Sequence, residues 1–102
     1  MSENTEPVTL IATFRAVAGQ DSHVFGLISA YGEVVRKEPG NIFFEIYTER
    51  DDRHAFVIIE RYQSEQAFQR HLDGAEGTAF NLQLAPLVEG EGSELQFLRI
   101  AS

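Results

Sequence analysis

Alternation opens the chain. Between Val8 and Ala16, positions Val8, Leu10, Ala12 and Phe14 are all apolar, while Thr9, Ile11, Thr13 and Arg15 are mixed. A period of two with one purely apolar side predicts a strand that turns Val8, Leu10, Ala12 and Phe14 to the denser core. Gly19 breaks it. Over residues 21–38 the period lengthens. Val24, Leu27, Ile28, Tyr31, Val34 and Val35 fall three and four apart and predict a helix with one apolar stripe. Asp21 or Ser22 is expected to cap its start, Arg36 and Lys37 suit its negative end, and Pro39-Gly40 stop it. Gly26 and Gly32 weaken this helix and leave room for close packing or for a ligand.

Two more strands follow, at 42–49 and 54–62, joined by the polar turn Arg50-Asp51-Asp52-Arg53. In the second, Phe56, Ile58, Glu60 and Tyr62 share one face, and Val57, Ile59 and Arg61 share the other. Both faces are mostly apolar, so both call for cover. Helices can cover one; a second copy of the chain is the simplest cover for the other. Ser64 is placed to cap a second helix whose inward stripe is Ala67, Phe68, His71 and Leu72. Asp73-Gly74 interrupts it. A further helical segment at about 76–87 carries Phe80, Leu84, Leu87 and Val88. The acidic, glycine-rich stretch 89–94 reads as a flexible loop, and Leu95 to Ile100 as a last strand. The order strand, helix, strand, strand, helix, strand is the ferredoxin-like split βαβ pattern of an α+β fold, with an antiparallel sheet and helices on one face. Residues 8–102 form the single domain, and the polar, acidic residues 1–7 read as a loose tail rather than a signal peptide.

Composition narrows the partners. A formal charge of −8 with eight scattered basic residues argues against nucleic acid and anionic membrane. No apolar run approaches a membrane span. The absence of Cys removes disulfides and thiolate chemistry and makes the cytoplasm the default location. Three separated His give no metal-ligand spacing, and no phosphate, dinucleotide or serine-hydrolase motif is visible.

Certain residues in order carry a resemblance. The opening strand and Gly19, the stop Glu38-Pro39-Gly40-Asn41, the strand ending Ile59-Glu60-Arg61-Tyr62 and the helix Ala67-Phe68-x-x-His71-Leu72 resemble the antibiotic biosynthesis monooxygenase family, over nearly the whole chain. The resemblance implies a homodimer, a dimeric α+β barrel in which two four-stranded sheets pack together, and a pocket between sheet and helices in each subunit. Some members oxidise phenols to quinones with O2 and no cofactor; others degrade haem or process a small polar signal. The chain departs from the pattern at several places. Tyr62 stands where many members have Trp, and Glu76 where many have a second His. Ala12, Tyr62 and about Asn81 lack the haem-degrading residues. Ile58 and Leu82 stand where the quinone-forming branch is polar.

The candidate site follows. His71 is the candidate general base or hydrogen-bond partner of a substrate oxygen, against a structural role in which it bonds a nearby carboxylate or carbonyl, with Glu60 the expected partner. Tyr62 is the candidate to orient a substrate oxygen, against an ordinary packing role with a wet tip. Phe44, Phe56, Ile58 and Phe68 are candidates to line a flat aromatic pocket, though they equally suit a plain core. Glu60 is a buried carboxylate expected to pair with a helix residue or across a dimer, and Asn41 caps the loop after Gly40 or reaches a ligand. Arg61 suits a subunit interface, and His23 and His54 should be solvated. The favoured reading is a cofactor-independent monooxygenase for a small electron-rich aromatic. A metabolite-processing isomerase or degradative enzyme and a non-catalytic binding module are the alternatives; a filled core would favour the last.

Overall fold

The computed structural model describes residues 6–101. It contains strand β1 (Val8–Arg15), helix α1 (Asp21–Arg36), strands β2 (Asn41–Glu49) and β3 (Asp52–Tyr62), helices α2 (Glu65–Leu72) and α3 (Ala75–Leu84), a 3₁₀ turn at Ala85–Leu87, and strand β4 (Glu94–Leu98). The expected tail falls, for residues 1–5, outside the described residues; Glu6 and Pro7 lead irregularly into β1.

The sheet order is β2-β3-β1-β4, with every neighbouring pair antiparallel. This is the split βαβ arrangement the element order predicts: β3 lies between β2 and β1, and α1 crosses over them. The register puts Leu10 opposite Glu60, Ala12 opposite Ile58 and Phe14 opposite Phe56, so the apolar side of β1 and the Phe56-to-Tyr62 side of β3 form one face. Phe44 and Ile46 of β2 join it. All three helices pack on this face, and the buried core lies between: Leu10, Ala12, Phe14, Val24, Ile28, Val35, Phe44, Phe56, Ile58, Tyr62, Phe68 and Leu84 among others. Phe14 and Phe56 stack with ring centroids 5.4 Å apart.

The opposite face carries Ile11, Val57, Ile59, Phe43 and Tyr47, and among the described residues no helix lies over it. There Arg61 donates from Nε to the Thr9 hydroxyl at 2.8 Å and lies over the Phe43 ring.

Several local expectations change. Helix α1 has no side-chain cap: Gln20 occupies the N-cap position, and Asp21 sits in the first turn within 3.5 Å of His54 Nε2 and 3.9 Å of Arg53. His54, expected in solvent, is half-buried between Asp21 and Asp52. Val34 is exposed and Gly32 takes its place on the inward stripe, where an added Cβ would lie 3.2 Å from the Phe44 ring. The turn between β2 and β3 is only Arg50-Asp51, because Asp52 already pairs with Glu49. Ser64 does cap α2, accepting from Ala67 N at 3.2 Å. The stretch before β4 turns at Gly90 and Gly92, whose φ angles of 70° and 105° favour glycine.

Candidate functional site

Helix α1 ends on the run Glu38-Pro39-Gly40, and β2 starts immediately after it. Gly40 is buried against α2: an added Cβ would overlap the Cβ of Ala67. That close approach brings the end of α1 beside α2. Glu38 consequently meets His71, one turn beyond Ala67, with Nδ1 3.1 and 3.2 Å from the two carboxylate oxygens. A carboxylate oxygen accepts, so Nδ1 carries a proton in this contact, and Nε2 is the ring nitrogen left to exchange a proton with a ligand. The expected partner of His71, Glu60, is thus replaced by Glu38.

Glu60 has a different companion. Successive same-face positions on a strand are neighbours, and the Tyr62 hydroxyl donates to Glu60 Oε1 at 2.6 Å. Within the chain, Glu60 pairs with this strand neighbour rather than with a helix residue. Burial raises the Glu60 carboxyl above its ordinary value, the Tyr62 hydrogen bond and the His71 charge oppose that rise, and Glu38 adds to it. Burial, followed by the charge and hydrogen bond of Glu60, keeps the Tyr62 hydroxyl protonated far beyond the usual tyrosine range. Tyr62 is fully buried, its ring 4.8 Å from His71 and 5.4 Å from Phe68.

Between sheet and helices lies a cavity of about 370 Å³. Its walls include Leu10, Ala12, Phe14, Phe44, Ile58 and Phe68, and its polar groups include Glu60, His71, Tyr31 and, near the mouth, Asn81 and Ser93. That volume is within the ~300–1,000 Å³ of small-molecule sites, and it removes the filled-core argument for a non-catalytic module. The cavity therefore brings together Phe44, Ile58, Glu60, Phe68 and His71 of the expected set. Three others stand elsewhere. Tyr62 does not line the cavity but lies behind it, reaching it through Glu60. Phe56 is committed to the stack with Phe14, deeper in the core. Asn41 donates from Nδ2 to the Phe43 and Arg61 carbonyls at 3.1 and 3.4 Å, beside the β2 register shift, and does not line the cavity. Leu72, expected inward, is 52% exposed at the mouth, and Leu82 is 73% exposed and away from the cavity, leaving Asn81 as the polar cavity residue of α3.

Sequence reading missed Glu38 as a partner, and Tyr31 and Phe80 as cavity walls. Tyr31 stacks on Phe80 at 4.3 Å and meets Phe44 edge-on at 6.0 Å. Burial, then the charges of Glu38, Glu60 and Glu76, keep its hydroxyl protonated. Its helical spacing marked it as inward, which core and cavity share. Among the described residues no group of His, Asp and Glu is arranged to hold a metal ion, and no helix is long and apolar enough to cross a membrane.

The fold recurs in solved structures. PA3566 from Pseudomonas aeruginosa is 24% identical, with a TM-score of 0.87 over 99% of this chain and 100% of that one. Rv0793 from Mycobacterium tuberculosis is 24% identical, with a TM-score of 0.85 over 94% of this chain and 96% of that one. A mutant of SnoaB, described as a cofactor-independent oxygenase from Streptomyces nogalater, is 20% identical, with a TM-score of 0.83 over 95% of each chain. At these identities the likeness is one of fold. No curated protein matches the sequence. The model of the antibiotic biosynthesis monooxygenase family matches residues 7–81, most of the chain, and that span holds Glu38 and the cavity residues Glu60, His71 and Asn81. The chain belongs to the antibiotic biosynthesis monooxygenase family.

Proposed function

We propose that the protein is a cofactor-independent monooxygenase that oxidises a small electron-rich phenol to a quinone in the cavity between sheet and helices. One observation carries this reading: His71, its Nδ1 fixed by Glu38, stands on the wall of an otherwise largely apolar cavity. His71 Nε2 takes the phenolic proton, and Glu38 stabilises the imidazolium that forms. The phenolate then gives an electron to O2, and the radical pair joins at a ring carbon as a peroxide. His71 returns its proton to the outer peroxide oxygen as the O–O bond breaks. One oxygen atom becomes the new carbonyl. The other leaves as water with the phenolic hydrogen and the hydrogen of the oxidised ring carbon. The substrate supplies all the electrons. Phe44, Phe68 and the Tyr31–Phe80 stack hold the ring, and the apolar wall keeps water from the peroxide. The family and the likeness to an oxygenase described as cofactor-independent support the same reading.

The uncovered face with Ile11, Val57, Ile59, Phe43 and Tyr47 is, in this account, covered by a second copy in the cytoplasm. A mass in solution of one 11.4 kDa chain would contradict that dimer. The reaction is tested with oxygen-18 gas, chelator-treated protein and a panel of anthrones and naphthols. One labelled atom in the quinone and one in water is the expected result; hydrogen peroxide in place of labelled quinone would overturn it.

A further inference from the structure

A base that takes a proton leaves negative charge on the oxygen it came from, and that charge needs a donor in the same space. His71 on α2 lines the cavity as the base, and Tyr31 on α1 lines it as a donor, their rings 6.2 Å apart. Three contacts fix the Tyr31 ring: the stack on Phe80, the edge against Phe44 and the tilted His71 ring. Among the described residues no group of the chain pairs with the Tyr31 hydroxyl, and no buried side-chain oxygen is left unpaired, so this one keeps access to open space. Burial and the charges of Glu38, Glu60 and Glu76 hold its proton on. The other polar cavity groups suit the role less well. Glu60 is a carboxylate, and Asn81 and Ser93 sit on exposed chain, where water weakens their hydrogen bonds.

Gly77 supplies a second, independent observation. It stands inside α3, not at positive φ, where Ala would favour the helix. A Cβ there would lie 2.9 Å from the Tyr31 hydroxyl oxygen, so the missing methyl is the space the hydroxyl occupies.

We propose that Tyr31 is a catalytic residue whose hydroxyl donates to the substrate oxygen that His71 deprotonates, and that Gly77 is the positioning residue that leaves this hydroxyl its place. The proposal rests on the phenol reading of the cavity and adds the donor that stabilises the phenolate. In the step itself the substrate O–H bond breaks and an Nε2–H bond forms; Tyr31 keeps its own proton throughout.

The test uses 4-nitrophenol, whose phenolate is coloured and which O2 does not oxidise, titrated by absorbance with protein in excess. In Tyr31→Phe, which keeps the ring and its stack, the pKa of the bound probe should rise by about 1, a tenfold loss of phenolate. Gly77→Ala should raise it too in the wild-type background, but change nothing when added to Tyr31→Phe, where the hydroxyl it would strike is gone. With an oxidised phenol, Tyr31→Phe should lower kcat about tenfold and leave KM nearly unchanged. A bound probe whose pKa ignores Tyr31→Phe, a Gly77→Ala effect that persists without the hydroxyl, or no binding of the probe by wild type would overturn the proposal. If Tyr31→Phe fails to fold, the Gly77→Ala titration alone decides, an unchanged pKa counting against it. Oxygen uptake separates the two ideas: a Tyr31-dependent pKa without uptake sinks the oxygenase reading alone, and uptake with a Tyr31-independent pKa sinks this proposal alone.

Discussion

Replacing Gly40 with Ala tests how the site is assembled. A Cβ at Gly40 would overlap Ala67 Cβ and lie 3.4 Å from Ala67 Cα, whereas carbon atoms prefer ~3.5–4.0 Å. Both atoms belong to or sit directly on backbone, so no side-chain rotation relieves the overlap. Helix α2 has to move away from the end of α1. Overpacking of this kind costs about 1–3 kcal/mol. For a domain of this length each kcal/mol lowers Tm by about 4–8 °C, so Gly40→Ala should melt roughly 5–20 °C below wild type. Gly40 is not at positive φ, so the cost comes from the contact and not from backbone strain. Gly26→Ala is the control: it lies within α1 with nothing within 4 Å, and should stabilise by about 0.5–1 kcal/mol. The decisive measurement is a double-mutant cycle by urea denaturation. Ala67→Gly removes the opposing methyl, so the Gly40→Ala/Ala67→Gly pair should be less destabilised than the sum of the singles by about 1 kcal/mol or more. A Gly40→Ala cost under about 0.5 kcal/mol, or strict additivity, would refute the reasoning.

Two further predictions concern the carboxylates. Glu60 in the folded chain is raised above its ordinary 4.5 by burial. Below 4.5 the group is protonated in both states. Between 4.5 and the raised value the folded chain holds the extra proton, so Glu60 lowers stability as pH rises through that window, and the loss persists above it. Glu60→Gln should therefore gain on wild type between acid and neutral pH in thermal melts; a pH-independent difference would count against it. Glu38→Gln removes the charge that holds His71 in one tautomer, and should cut turnover by more than about tenfold with little change in substrate affinity, read from separate kcat and KM values; an unchanged kcat would remove Glu38 from the account.

Much of the fold was legible because it rests on local rules. The two-residue period of β1, the Pro39-Gly40 stop and the Ser64 cap each act within a few positions. The site was legible only in part, because its key contact is not local. Glu38 and His71 lie 33 residues apart and meet because Gly40 lets α1 and α2 touch, a steric fact about a missing atom. Glu60 was the natural partner for His71 by strand face, yet its carboxylate is captured by Tyr62 two residues away. Alternation put Tyr62 on the right side of the sheet but could not give its depth: α2 covers the strand end, and Phe68 and His71 close over the ring. Leu72 has inward spacing but ends an eight-residue helix, where the core has already run out.

The central claim is that His71 drives oxygenation in the cavity, and the most direct measurement is the initial rate of O2 uptake by chelator-treated protein with anthrones and reduced naphthoquinones, wild type beside His71→Ala. The account predicts protein-dependent uptake above autoxidation that falls by about 10²-fold or more in the variant, the usual contribution of a positioned acid–base group. Uptake no faster than autoxidation, or equal in both proteins, would contradict it.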